Sequence, residues 1–405
     1  MTSIQSLGAP LALRIPNTDG LPESVESAAD VSVIRTSARA LEGMQKEAIV
    51  LRGGDRPAWR LICDEGHYLH GTDLAPPPLA FFSAGMASIF TAAITRELRV
   101  SGHSHTGLIV AQDAYYGMEG SALRGTMTAS ADSVTLRTRL SPDAISDDLA
   151  DRLAAAISTT PIESLMLTSL ADTFSIEKNR KVIVTGDVNQ SCSPRPCDPM
   201  SLFERAELSR PETHREDIVA KLESTDSVFD TDHGVGAALK DHQKRSLLIR
   251  SQVALREDGL QQIRVQIHRP IGSVFQFLVD EGADRNGGHR APDGLSYISA
   301  GIAFCYMTQL GRYIQITKRE VENYSVVQDT RFNLGRGTAL PVDTHVYLKT
   351  KEDDATCRKI VDMAEQTCFL HAAYRTSNKT KLCIETDASV NKVVAEATVT
   401  RRVED

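Results

Sequence analysis

The sequence has no long run of basic residues, and its formal net charge is −8. That excludes a sequence-independent nucleic-acid binder, which needs a cationic surface. No basic segment precedes a long apolar run near the start. Residues 1–20 carry a single Arg, so no secretory signal peptide is expected. The longest apolar stretch, around 74–94, is broken by prolines and serines and has an Asp at its edge. It reads as a buried helix rather than a membrane span. A disulfide framework is also missing: the seven Cys are odd in number and irregularly spaced. Mostly free thiols in a reducing cytoplasm are expected. Cys192 and Cys197 have no second pair to complete a zinc site. Gly335-Arg336-Gly337 lacks the strand–helix context of a phosphate loop.

What is present is ordinary for a globular chain, with 41% hydrophobic and 24% charged residues. A length of 405 residues suits two to three domains, each large enough to bury a core. The informative feature is a repeat. Asp64-Glu65-Gly66 followed by Ser83-Ala84-Gly85 returns as Asp280-Glu281-Gly282 and Ser299-Ala300-Gly301, 216 positions later in both cases. Gln112-Asp113 and Gln328-Asp329 keep the same offset. A fused duplicate is expected, in which Cys305 of the second copy faces Ile89 of the first.

The pattern divides the chain into an arm lacking periodicity (1–28), a first unit (29–176), a Pro-rich charged connector (177–243), a second unit (244–388) and a tail (389–405). Alternation predicts strands at 31–35 and 246–250, and others ending at Cys63 and Val279. Helices follow at 79–98 and 297–306, opened by Pro76-Pro77-Pro78 and by Pro292. Both are apolar on nearly every face, so they are central and buried. Their small residues let another element approach closely. Later helices are predicted at 149–157 and 353–367, closing strands at 172–176 and 379–385, and a short helical pattern in the connector at 217–222. The tail alternates and suits one more strand.

Ser299-Ala300-Gly301-Ile302-Ala303-Phe304-Cys305 and Ala364-Glu365-Gln366-Thr367-Cys368, in this element order, resemble the two cysteine motifs of the osmotically inducible protein C / organic hydroperoxide resistance (OsmC/Ohr) family. The likeness covers the second unit well and the first only in its scaffold, where Ile89 and Thr160 stand for the two Cys. It implies an α+β fold: two OsmC-like units forming an intramolecular pseudo-dimer, with sheets wrapped around central buried helices. It implies a thiol-dependent peroxide reductase in which Cys305 attacks the peroxide, Cys368 resolves it and an external dithiol resets the pair. No cofactor is required by the resemblance, and a homodimer of the tandem chain is possible in it. The family's Glu ten residues before the first Cys is Leu295 here, with Asp293 the nearest acid. Arg285, Arg290, Arg35 and Arg250 are the candidates for its activating Arg. This departure leaves room for a divergent enzyme acting on another small organic molecule.

In a shared site the thiol-free unit donates residues. The loop after Asp64-Glu65-Gly66 offers His67 and His70, as an acid–base pair or metal ligands, with Arg285 and Asp293 as further binding candidates. His103 and His105 are also confined to the first unit. Four converging rings would bind a divalent metal such as zinc or iron; ordinary loop histidines are the commoner case. His371, three residues after Cys368, is placed to tune that thiol or to lie at the surface. A metal-dependent enzyme of another class and a non-catalytic small-molecule binder are the alternatives to peroxide reduction.

Overall fold

The computed structural model describes residues 2–15, 30–53, 57–141, 148–206, 216–225, 243–282, 289–386 and 393–400. Two mixed sheets flank a pair of buried helices, an α+β architecture. The first sheet runs β1 (Ala12–Ile15), β4 (Ala58–Cys63), β3 (Lys46–Arg52), β2 (Val31–Ala40), β15 (Val321–Asn333), β16 (Thr338–Thr350), β8 (Thr173–Lys178) and β10 (Asn189–Gln190), with β9 (Lys181–Ile183) on β8. The second runs β11 (Val219–Glu223), β14 (Ile271–Val279), β13 (Gln261–Arg269), β12 (Gln243–Leu255), β5 (Ile109–Gly120), β7 (Val134–Leu140), β17 (Thr380–Thr386) and β18 (Val393–Thr398), with β6 (Thr128–Ala131) on β5. The first seven positions of the two orders correspond, whereas at the last β10 runs parallel to β8 and β18 antiparallel to β17, and each sheet joins strands from both halves of the chain.

Two joints carry that exchange. In the β2–β15 ladder Arg35 lies directly opposite Asp329, and in the β12–β5 ladder Arg250 lies opposite Asp113. Each Arg grips its Asp with two N–H groups, at 2.8 and 2.8 Å and at 2.6 and 3.0 Å. Such bidentate pairs fix geometry as well as adding energy. The repeated Gln-Asp signature is thus the mark of these joints, and Arg35 and Arg250 are committed to them. The closing strands cross over too: β8 pairs parallel with β16, and β17 with β7.

The central helices are α2 (Pro78–Val100) and α6 (Gly294–Ile316). By length and hydropathy α2 would suffice to cross a membrane, yet 94% of the qualifying window is buried inside the fold. The repeated Ser-Ala-Gly lets the two helices touch. A Cβ on Gly85 would stand 2.3 Å from the Gly294 carbonyl oxygen, and one on Gly301 2.7 Å from the Phe82 nitrogen. No side chain fits there. The serines anchor the helices to the sheets: Ser83 Oγ meets Ser251 Oγ and Ser299 Oγ meets Thr36 Oγ1, both at 2.7 Å. Two-helix caps follow in each half. They are α3 (Leu149–Ser158) with α4 (Pro161–Leu167), and α7 (Asp354–Thr367) with α8 (Phe369–Arg375).

Two expectations change. In the supposed arm, residues 4–7 form the short helix α1 (Ile4–Leu7) and residues 12–15 form β1, whose hydrogen bonds the edge of β4 takes up. Residues 219–223 are strand β11, not helix. Their short apolar pattern does not settle the period, and pairing with β14 does. Within the connector α5 (Met200–Ala206), β9 and β10 are ordered elements.

Candidate thiol site

Cys305 sits mid-way along α6. Cys368 is the N-cap of α8, at the break after α7. Packing of α6 against α7 and α8 brings the two thiols together as hydrogen-bonding partners, both buried. Burial pushes the Cys368 thiol well up, and charge on Cys305 pushes it further.

His371, one turn into α8, points Nδ1 at Cys368 Sγ at 3.2 Å. Its far nitrogen, Nε2, lies 3.9 Å from Asp172 Oδ2. Burial, with Arg375 nearby, drives the His371 pKa down to about 3, so the ring is neutral. Burial pushes the Asp172 carboxyl up. Thiol, imidazole and carboxyl thus lie in one buried row, with Asp172 contributed by the first half.

The other side of Cys305 faces a cation. Arg312 lies two turns further along α6, and helix geometry tilts long side chains back toward the N-terminus. It is 4% exposed. Its Nη1 donates to Gln309 at 3.0 Å, whereas Nε and Nη2 have no hydrogen-bond partner. Burial pushes this guanidinium down, while Glu65, Tyr68 and Cys305 push it back up. Glu65 comes from the first half. Its carboxylate accepts from Thr308 Oγ1 at 2.7 Å and Tyr68 O–H at 3.3 Å, and burial raises its pKa. Cys63, at the end of β4, is a third buried thiol near Glu65 and Cys305, and burial raises it well above its ordinary value. A pocket of about 110 Å³ opens over this group, lined by Tyr68, Arg245, Arg312 and Phe369 among others. Burial, then repulsion from Arg312, lowers Arg245 to about 10.

The loop that holds Glu65 and Tyr68 is tightly built. Asp64 Oδ2 accepts from Thr72 N, Thr72 Oγ1 and Leu74 N. Gly71 packs where a Cβ would stand 1.8 Å from the Glu65 carbonyl oxygen. The loop was expected to serve the thiols through His67 and His70. The side chains it brings near them are Glu65 and Tyr68 instead. In the 3-10 turn His67–Leu69, Tyr68 and Leu69 turn inward while His67 and His70 are exposed. Asp293 is also displaced from its expected role. It caps α6 by accepting from Ser296 N at 2.8 Å and pairs with Arg52. Twelve residues separate it from Cys305, about 18 Å of helix. Arg285 lies outside the described residues. Arg290 pairs with Asp258 and Asp280, away from the thiols. His103 and His105 lie in the turn after α2. Among the described residues no group of three or more His, Cys, Asp and Glu is arranged to hold a metal ion. Arg312 was missed although a signal existed: it is an Arg seven residues from Cys305 on a helix otherwise buried all round.

No curated protein matches the sequence. One solved structure that it resembles is the crystal structure of an OsmC-like hydroperoxide resistance protein from Jannaschia sp. CCS1. The two are 18% identical over 37% of this chain and 97% of that one, with a TM-score of 0.24. Residues 287–382, the segment that carries Cys305, Arg312 and Cys368, match the family model of the OsmC-like proteins.

Proposed function

We propose that this chain is a thiol-dependent reductase of organic hydroperoxides, built as an internal pseudo-dimer of two OsmC-like halves with one working site. The observation that carries the reading is the meeting of Cys305 and Cys368 beside the buried, incompletely bonded Arg312. The matching strand orders and the offset of 216 residues support the duplicated architecture. The family match over the thiol-bearing segment supports the chemistry.

Arg312 favours the Cys305 thiolate electrostatically, and its free N–H groups suit a peroxide oxygen. The thiolate attacks the terminal oxygen: an S–O bond forms, the O–O bond breaks, and the alkoxide leaves as the alcohol, taking up the proton that the thiol lost. Cys305 is then a sulfenic acid. The Cys368 sulfur displaces its oxygen as water and the disulfide forms. An external dithiol restores both thiols. His371, neutral and hydrogen-bonded to Cys368, orients that thiol toward Cys305. Glu65, held by Thr308 and Tyr68, positions Arg312.

Cumene hydroperoxide consumption with dithiothreitol tests the reading. Cys305→Ser abolishes turnover, while Cys368→Ser, assayed without dithiothreitol, allows a single equivalent of peroxide to be consumed and leaves a sulfenic acid visible by mass. Retained turnover in Cys305→Ser refutes it.

A further inference from the structure

A large cavity lies over the thiol-free counterpart of this site. It measures about 720 Å³, within the range of pockets that hold small organic ligands. Ile89 and Thr160 stand on its wall in the places of Cys305 and Cys368, and Arg96 takes that of Arg312. No thiol lines it, so the redox chemistry of the other site is absent here.

Its walls are graded. The inner end is apolar at Ile89 and Ala93, with one exception. Gln261 is 5% exposed and donates Nε2 to the Ser88 carbonyl at 3.3 Å, but its Oε1 has no partner. A buried amide oxygen without a donor is costly unless a ligand supplies one. Glu281, the counterpart of Glu65, is held by Ser88 Oγ at 2.6 Å and Gly294 N at 2.9 Å. Burial and neighbouring Asp293 raise its pKa, which reduces its opposition to an anion.

The exposed charges on the wall are mainly basic, Arg96 and Arg99 against Glu257. Arg96 is exposed and has no ion-pair partner among the described residues, and the Arg99 side chain meets His105 at 3.5 Å. Beside them Val100 and Leu334 stay 78% and 48% exposed, an apolar lip on a charged mouth. From Ser88, which holds Gln261, to Arg96 is eight helical residues, about 12 Å.

We propose that this cavity is a receptor site for a hydroxylated organic carboxylate. The carboxylate lies at Arg96 and Arg99, the hydrocarbon chain along Ile89 and Ala93, and the hydroxyl donates to Gln261 Oε1. The ligand is bound and not converted.

The test is calorimetric titration of the full chain with 10-hydroxydecanoate, decanoate and decanol. The hydroxy acid binds at one site, several-fold tighter than decanoate, and decanol binds weakest. Arg96→Glu with Arg99→Glu weakens both carboxylates at least tenfold. Gln261→Leu removes the preference for the hydroxyl. Ile89→Trp, or Ala92→Phe if the former folds poorly, blocks binding. Cys305→Ser and Arg312→Met leave it unchanged, which separates this site from the thiol pocket. No binding, equal binding of the two acids, indifference to the arginine reversals, or loss on Arg312→Met overturns the proposal.

Discussion

Glu163 offers a direct check of the electrostatics of this fold. It is fully buried in α4, at the place His371 occupies in α8. Thr380 Oγ1 donates to its Oε2 at 2.6 Å, and Oε1 has no partner. Burial raises its pKa from 4.5 to about 7. The folded chain therefore keeps this proton over a window in which the unfolded chain has released it. Below pH 4.5 both states are protonated and the residue is neutral in effect. As pH rises from there to 7, stability falls, and above 7 the loss is constant. A shift of this size costs about 3 kcal/mol. Glu163→Gln is isosteric, keeps an acceptor for Thr380 and has no proton to lose. It should match the parent near pH 4 and exceed it by about 3 kcal/mol at pH 8. At about 2.1 cal/mol/K per residue, that is roughly 4 °C in Tm for a chain of this length. Urea unfolding at unit steps from pH 4 to 8 reads the difference directly. A gap that does not change with pH, or a variant weaker than the parent at pH 8, would refute the reasoning.

Other outcomes follow from the same contacts. Arg312→Met removes the cation beside Cys305 and should lower kcat/KM for cumene hydroperoxide by roughly 100-fold, about 3 kcal/mol of transition-state stabilisation, while the fold, read by circular dichroism, persists. With its pKa near 3, His371 should contribute no inflection between pH 5 and 8 to the rate of disulfide formation. Its burial as a neutral ring also makes stability fall as pH drops below 6.5, so His371→Asn should be less acid-sensitive than the parent in that range. Gly301→Leu should destabilise by several kcal/mol or prevent folding, since its Cβ would press on the Phe82 backbone. Arg35→Ala combined with Asp329→Ala should cost less than the sum of the two single changes, giving a coupling energy of about 1–3 kcal/mol in a double-mutant cycle.

The sequence made the scaffold legible where the signal was local. The strands ending at Cys63 and Val279, the helix starts after Pro77 and Pro292, and the closing strands are all recovered within a few residues. The thiol pair was legible only through the family resemblance, because nothing local ties residue 305 to 368. Glu65 was in plain view as part of the repeat, but the destination of a loop side chain depends on which inward-facing residue the turn selects. The two histidines drew attention to their ring chemistry, whereas the 3-10 turn buried the tyrosine between them. Asp172 lies 3.9 Å from His371 across the two halves, a contact between residues about 200 positions apart that no pattern in the chain announces.

The crossing of strands between halves sets a timetable for biosynthesis. The β2 edge waits for β15, and Arg35 waits for a partner 294 residues downstream. At ribosomal speeds of about 5–20 residues per second, that interval is roughly 15–60 s. Throughout it the first half displays an open strand edge and the apolar flank of α2 that α6 will cover. A nascent chain in this condition is a natural client for holding chaperones. The same arrangement that gives the finished protein its shared core therefore makes its yield depend on how the unfinished one is sheltered.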